Sequence, residues 1–227
     1  MNIQNYNDMT IEVIDKTPIS ANIVQLALDL TQKKADDISE KQISERLAKY
    51  LLGAEHTSVF EHSSMTFLCK GISRSLLAQL TRQRTFKFTG ASQHYQDYRE
   101  YPMTLRPGWG GNAKVEILYE KALCKALDSY IKLIELGEKP EEARQVLPGA
   151  CTVNLLITAD PRNLAMFLRQ RLCMRNVQEM QIFAERLRVI CIHWFPQLFS
   201  HIGPQCYTGD CEQGKLSCGS YWLYKLV

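Results

Sequence analysis

Apolar residues recur along this chain with two different periods, and the changes of period mark out its elements. Thr10 to Asp15 alternates, with Ile11 and Val13 on one face, which predicts a strand. Ser20 to Thr31 carries Ile23, Leu26, Ala27 and Leu30 at helical spacing, with Ser20 as its N-cap. Ile38 to Leu52 repeats that spacing through Ile43, Leu47 and Leu51, and Gly53 stops it. His56 to His62 reads as a turn-like link. Ser63 to Gly71 alternates again, with Met65, Phe67 and Cys69 on one face. Ser73 then caps a helix through about Arg82, with Leu76, Leu77 and Leu80 inward. Pro102 to Gly111 has the Pro and Gly content of a connection. Asn112 caps a long helix from about Ala113 to Leu136, stopped by Gly137. Its apolar line of Val115, Leu118, Ala122 and Leu133 suits either core or a subunit interface, and core is expected. Pro140 opens a short helix carrying Arg144, and Pro148 ends it.

The last third is the most sharply punctuated. Cys151 to Ala159 is an almost unbroken apolar run rich in β-branched residues, as in a strand covered on both faces. Asp160-Pro161 is a cap followed by proline at the first helical position. Leu164, Phe167 and Leu168 form the stripe of the helix that follows, and Arg171, seven residues after Leu164, falls on that inward side. A second helix runs from about Val177 to Trp194 on Met180, Phe183, Leu187 and Cys191. Pro196 to Val227 reads as a weakly structured tail. With no internal repeat and no long linker, the pattern predicts an α/β fold of the α+β type: a mixed or antiparallel sheet flanked by long helices, in a single domain over residues 1–227.

Composition changes this picture little: 45% hydrophobic and 22% charged residues are ordinary for a globular chain. No run of about 18 apolar residues predicts a membrane span, and MNIQNYNDMTIEV lacks the design of a secretory signal, so a cytoplasmic location is expected. Of eight cysteines, Cys69, Cys124, Cys151, Cys173 and Cys191 lie singly in apolar settings and read as buried free thiols. His201, Cys206, Cys211 and Cys218 are spaced by four, four and six residues without a CxxC knuckle. A reduced tail with no metal is therefore preferred over a zinc site.

Charge changes the picture more. From Lys70 to Arg99 there are six Lys or Arg against one acid, Asp97, while the whole chain carries only +3. Within this stretch QLTRQRTFKFTGASQHY sets Arg82 and Arg84 around Gln83, with Ser92 eight residues after Arg84 and the rings of Phe86, Phe88 and Tyr95 alongside. Guanidinium forks suit phosphate oxygens. Arginines two apart do not share a helix face, which places them at a helix end. Together they predict an anionic ligand bearing a ring. Neither GxGxxG nor GxxxxGK[ST] occurs, so side chains must do the gripping. Arg171 on a buried stripe needs either a carboxylate such as Glu179 or a ligand.

Arg-x-Arg, seven residues, then Ser resembles the signature of the flavin-dependent thymidylate synthases. Three further blocks in the family's order extend the resemblance over roughly residues 50 to 200: His56-Thr57-Ser58-Val59-Phe60-Glu61-His62, Arg144-Gln145-Val146-Leu147-Pro148, and the arginine-rich helix Arg162 to Arg171 followed by Gln178-Glu179. The resemblance implies reductive methylation of dUMP to dTMP, with 5,10-methylenetetrahydrofolate as carbon donor, FAD as hydride carrier and NADPH as reductant. It implies that Gln79, Arg82, Ala91, Ser92, Gln93, His94, Arg144 and Arg171 meet dUMP, with Arg171 activating the pyrimidine. Ser58, Arg82, Gln83, Arg84, Gly90, Asp160 and Arg162 are implied at FAD, and His56 on the folate side. A homotetramer with shared active sites is implied as well. Three positions depart from the family pattern: Gln83 replaces its usual His, His94 its usual Arg, and Gly90 its usual acidic or amide residue. His94 removes a permanent charge, so nucleotide binding is expected to weaken as pH rises past about 6.5, the ordinary imidazole range. These departures leave open a homologue that transfers a hydroxymethyl group or acts on a cytosine nucleotide. A single-stranded nucleic-acid-binding module is the alternative of another class, and +3 is weak charge for it.

Overall fold

The computed structural model describes residues 3–17, 23, 26, 57–94, 98–99, 102–105, 112–207 and 211–219. The elements expected over Ser20–Thr31 and Ile38–Leu52 lie outside them, apart from Ile23 and Leu26, which are helical. In chain order the described elements are β1 (Ile3–Asn5), β2 (Thr10–Thr17), β3 (Ser64–Ser73), α1 (Arg74–Leu80), β4 (Lys87–Gly90), β5 (Met103–Leu105), α2 (Ala113–Glu135), α3 (Pro140–Ala143), β6 (Thr152–Ala159), α4 (Pro161–Arg171), α5 (Gln178–Trp194) and α6 (Pro196–Phe199). Short 3-10 turns include Thr57–His62, before β3, and Arg144–Val146, directly after α3. The fold is α+β with sheets of mixed orientation.

The larger sheet has strand order β2-β3-β6-β4, and β1 pairs in parallel with β5. Three of these strands, β1, β4 and β5, carry no local signal in the sequence. β5 lies in the stretch read as a connection. It forms because Thr104 N–H donates to Ala150 O at 2.8 Å and Thr152 N–H to Pro102 O at 3.2 Å, a pairing set by a partner far along the chain. β4 lies within the basic segment, and Phe86 just before it is buried. Met65, Phe67 and Cys69 of β3 are buried, as their alternation predicts. On β6 one face is fully buried, while Asn154, Leu156 and Thr158 on the other are half-buried, a less complete cover than expected. Gly71 is held at φ 71°, where its carbonyl takes the Gln4 side-chain amide at 2.6 Å. The left-handed φ favours glycine, and a Cβ would displace that amide, only 2.6 Å away.

The chain divides into two compact units, Met1–Glu12 with Phe67–Ile157, and Val13–Thr66 with Thr158–Val227. The first packs α2 over Tyr98, Met103, Ala143 and Cys151. The face doing so is Leu123, Leu127 and Tyr130; of the line expected only Leu133 packs against it, half-buried, while Leu118 is 71% exposed and Val115 and Ala122 are exposed too. The helix has two apolar stripes, and spacing alone does not say which one finds a partner. Gly137 stops it at φ 91°, as expected. In the second unit the Thr57–His62 turn packs on α4, α4 on α5, and α5 on α6. Phe167 meets Phe183 edge-on with centroids 6.3 Å apart. The tail begins as core, with Leu198, Phe199 and Ile202 buried, which corrects its reading as weakly structured there.

Candidate functional site

In the first unit, Ser73 Oγ accepts from Leu76 N–H at 2.9 Å and starts α1 where the sequence places its cap. The helix ends at Leu80 rather than Arg82. The Thr81 hydroxyl bonds back to Leu77 O at 3.0 Å, and Gln83 N–H closes a tighter turn on Leu80 O at 2.9 Å. Gln79 therefore stays on the helix, half-buried, while Arg82 and Arg84 stand exposed on the turn that follows. Gln83 donates to Thr85 Oγ1 at 2.9 Å. Phe86 and Phe88 lie with centroids 6.1 Å apart, and because Phe86 is buried only Phe88 of the pair retains exposure.

β4 hands the chain to Gly90 and then to Ala91, whose N–H donates to Asn154 O at 3.0 Å. That bond fixes the start of the loop bearing Ser92, Gln93 and His94. The Ser92 hydroxyl accepts from His94 N–H at 3.2 Å. A Cβ on Gly90 would meet only Leu155 Cδ1 at 3.4 Å, so sterics do not demand glycine there. Burial raises the phenol pKa of nearby Tyr98, with Arg74 and Gln93 pulling the other way. His94 Nδ1 lies 3.1 Å from Glu141 Oε2. Arg144 Nε donates at 2.9 Å to the backbone carbonyl of that same Glu141. Residues 50 positions apart in sequence are thus gathered around one glutamate.

In the second unit, Asp160 caps α4 through Asn163 N–H at 2.9 Å and also takes the Asn163 side-chain amide at 2.6 Å. Arg162 pairs with Glu61 from the turn that carries exposed Ser58. Arg171 ends α4. Its Nη1 donates to Asn176 Oδ1 at 3.3 Å, and its Nε is buried without a hydrogen-bond partner. Asn176 is fixed in turn by donating to the carbonyls of Gln170, Arg171 and Cys173. Arg171 lines a cavity of about 420 Å³ together with Arg169, Arg175 and Asn176. His56 and Tyr95 lie outside the described residues.

Apart from Cys124 on α2, which is half-buried rather than buried, the cysteines fall into two groups. Cys69, Cys151 and Cys191 are buried free thiols; burial pushes Cys69 up to about 12 and Cys151 to about 11, and raises Cys191 as well. Cys173, Cys206 and Cys211 reach the Arg171 cavity. Cys206 is raised by burial first and then by the neighbouring thiols of Cys211, Cys173 and Cys218. Among the described residues no group of three or more His, Cys, Asp or Glu is arranged to hold a metal ion, and no helix is long and apolar enough to cross a membrane.

Residues 12–197 match the family described as "Thymidylate synthase complementing protein". A flavin-dependent thymidylate synthase of Geobacter sulfurreducens is 31% identical over 218 residues, 93% of this chain and 94% of the relative. The chain belongs to the flavin-dependent thymidylate synthase family. A second family relative, from Clostridium tetani, is 28% identical over 231 residues, 92% of each chain. The crystal structure of a UMP/dUMP methylase PolB from Streptomyces cacaoi bound with 5-Br dUMP has the same fold, with a TM-score of 0.75 at 21% identity over 88% of this chain and 96% of that one. Sequence reasoning found the family's arginines and serine but missed their neighbours here. Glu61, Glu141 and Asn176 hold four of the expected ligand residues: Arg162, His94, Arg144 and Arg171. The one local clue was Glu141 placed three residues before Arg144, a helical neighbour.

Proposed function

We propose that this chain catalyses the reductive methylation of dUMP to dTMP, taking the carbon from 5,10-methylenetetrahydrofolate with FAD and NADPH. The observation that carries this is Arg171: a guanidinium at the end of α4, with its Nε buried and unpartnered, on a cavity shared with two further arginines. Leaving a charged donor unsatisfied is costly unless a ligand satisfies it. C5 of uracil is a poor nucleophile, and a fixed cation beside N3 and its carbonyl favours the anionic ring that makes C5 reactive. In this reading Arg171 provides that cation, since burial cannot neutralise arginine. Arg82, Ser92 and Arg144 hold the nucleotide's phosphate, while Gln79, Ala91, Gln93 and His94 complete its pocket.

The donor set also fits FAD. Exposed Arg82 and Arg84 offer forks to a pyrophosphate, and Gln83, Gly90, Ser58, Asp160 and Arg162 offer further polar contacts. Arg162 must exchange Glu61 for the ligand. When bound, flavin carries hydride from NADPH toward the one-carbon unit. No cysteine nucleophile is required, and the buried thiols, kept neutral at working pH, are unsuited to be one. His56 is assigned to the folate side. A homotetramer with shared sites is part of the same reading, supported by the uncovered apolar stripe of α2.

The test is the purified protein itself. It should be yellow, bleach with NADPH, and reoxidise with dUMP and methylenetetrahydrofolate while releasing dTMP identified by mass. A colourless protein that forms no product would end the proposal. A product of hydroxymethyl or cytosine-nucleotide mass would redirect it.

A further inference from the structure

The cavity that Arg171 lines is walled by residues at and just after the end of α4, and by tail residues 204–206 and 211–213. The tail is pinned there at several points. Arg188 Nε donates to Ile202 O at 2.8 Å. Tyr207 N–H donates to Pro204 O at 2.7 Å, within the stretch whose 3-10 turn, Gln205–Tyr207, carries Cys206. The Tyr207 ring lies against Gly203, where a Cβ would come within 2.8 Å of it. Further on, Cys211 O accepts from Gly214 N–H at 3.4 Å, and Gln213 Oε1 accepts from Arg175 Nη1 at 3.0 Å. The two parts of the tail are joined by a hydrogen bond from Gln205 Nε2 to Glu212 Oε2. Gln205 precedes Cys206 and Glu212 follows Cys211, so this bond ties together the residues beside the two cysteines. Both thiols are free, half-buried and on the cavity. Among the thiols acting on Cys206, that of Cys211 acts most strongly.

We propose that Cys206 and Cys211 form a reversible oxidation site, closing to a disulfide by exchange with a low-molecular-weight disulfide and stiffening the tail wall of the cavity. One protein thiolate attacks a sulfur of the external disulfide, forms a mixed disulfide and releases one small thiol. The second protein thiolate attacks the protein sulfur of that mixed disulfide, forms the Cys206–Cys211 bond and releases the second small thiol. Two protein thiols are oxidised, one external disulfide is reduced, and the two protons leave on the released thiols. Pinning of both segments removes in advance much of the chain entropy that closing the bridge would cost. Cys69, Cys151 and Cys191 stay outside the exchange, because they are buried and the thiolate is the reacting form. The exchange asks nothing of nucleotide or flavin, so its failure leaves the proposed function untouched.

Oxidised glutathione is the probe. The full, folded chain is reduced, freed of reductant and incubated with it, and the remaining thiols are then alkylated for peptide mass mapping without reduction. Cys206 and Cys211 should both escape alkylation, joined to each other with the loss of two hydrogen atoms, and dithiothreitol should restore both thiols. Cys69, Cys151 and Cys191 should remain thiols. Amide hydrogen exchange over residues 204–213 should slow by about tenfold or more on oxidation, the effect of cross-linking a short segment. Cys206→Ser should stop at a glutathione adduct on Cys211, and Cys211→Ser at one on Cys206. Neither variant should show the slowing, and both should keep the melting temperature of the reduced chain. Separate glutathione adducts on the two cysteines of the unsubstituted chain would overturn the inference. So would a bridge from either of them to Cys173 or Cys218, or a Cys206–Cys211 bridge that leaves exchange over 204–213 unchanged.

Discussion

Among single residues, Arg171 differs from the arginines of the expected site that already have a partner. Arg162 has Glu61 and Arg144 has a carbonyl, whereas Arg171 keeps a buried Nε unmatched beside a cavity. Arg171→Ala should therefore lower kcat by about 10²–10³, the cost of removing one preorganised donor, with flavin content unchanged. Arg171→Lys should not restore the rate, since a point charge cannot reproduce the fork. Steady-state kinetics on flavin-matched samples check both. The thiols give a second prediction. Cys69 and Cys151 have folded-state pKa values pushed above the ordinary thiol range, to about 12 and about 11. They should resist iodoacetamide at pH 8 while exposed Cys218 is alkylated first, as read by peptide mass mapping. Because burial raises these values, the stability they contribute is complete below the unfolded thiol range of about 8.5 and is lost as pH rises toward the folded values. The melting temperature should accordingly fall above about pH 9. The sequence exposed both groups as single residues in apolar settings, but burial depth depends on what packs over them.

At the scale of elements, α2 is where pattern and packing part company. Its sequence offers two apolar stripes, and the one through Leu123, Leu127 and Tyr130 is covered. Leu127→Ala should cost about 2–5 kcal/mol, the range for a buried leucine truncated to alanine. Leu118→Ala should leave the stability of the isolated chain within about 0.5 kcal/mol, as for a surface change. Urea unfolding of both variants separates the stripes. α4 behaves as its sequence says, from the Asp160 cap and Pro161 to the buried Leu164, Phe167 and Leu168. Its signals are local, contained within one turn, and need no partner to be read. β4 and β5 were missed for the opposite reason: β5 spans only Met103–Leu105 and owes its existence to Ile3–Asn5 and the residues around Cys151.

For the whole molecule, the proposed shared site predicts an assembly. Arg144→Ala and Arg171→Ala chains, each inactive alone, should recover partial activity when mixed and allowed to exchange subunits. Light scattering should give the mass of four chains. A monomer with full activity would refute sharing. Leu118→Ala, silent for the single chain, should then weaken the assembly if the uncovered stripe of α2 is part of the contact.

The caps at Ser73, Asn112 and Asp160, the stop at Gly137, the alternation of β3, and the arginine and serine positions that mark the family are fixed by the amino-acid sequence alone, because each is written within a few neighbouring residues. Only the tertiary structure decided which face of α2 is core, that Asn154 anchors the loop of Ser92, and that Glu141 stands between His94 and Arg144. Those relations join residues far apart in the chain. They arise when separate elements compete for the same buried surface and the same hydrogen-bond donors, a competition that no local pattern records.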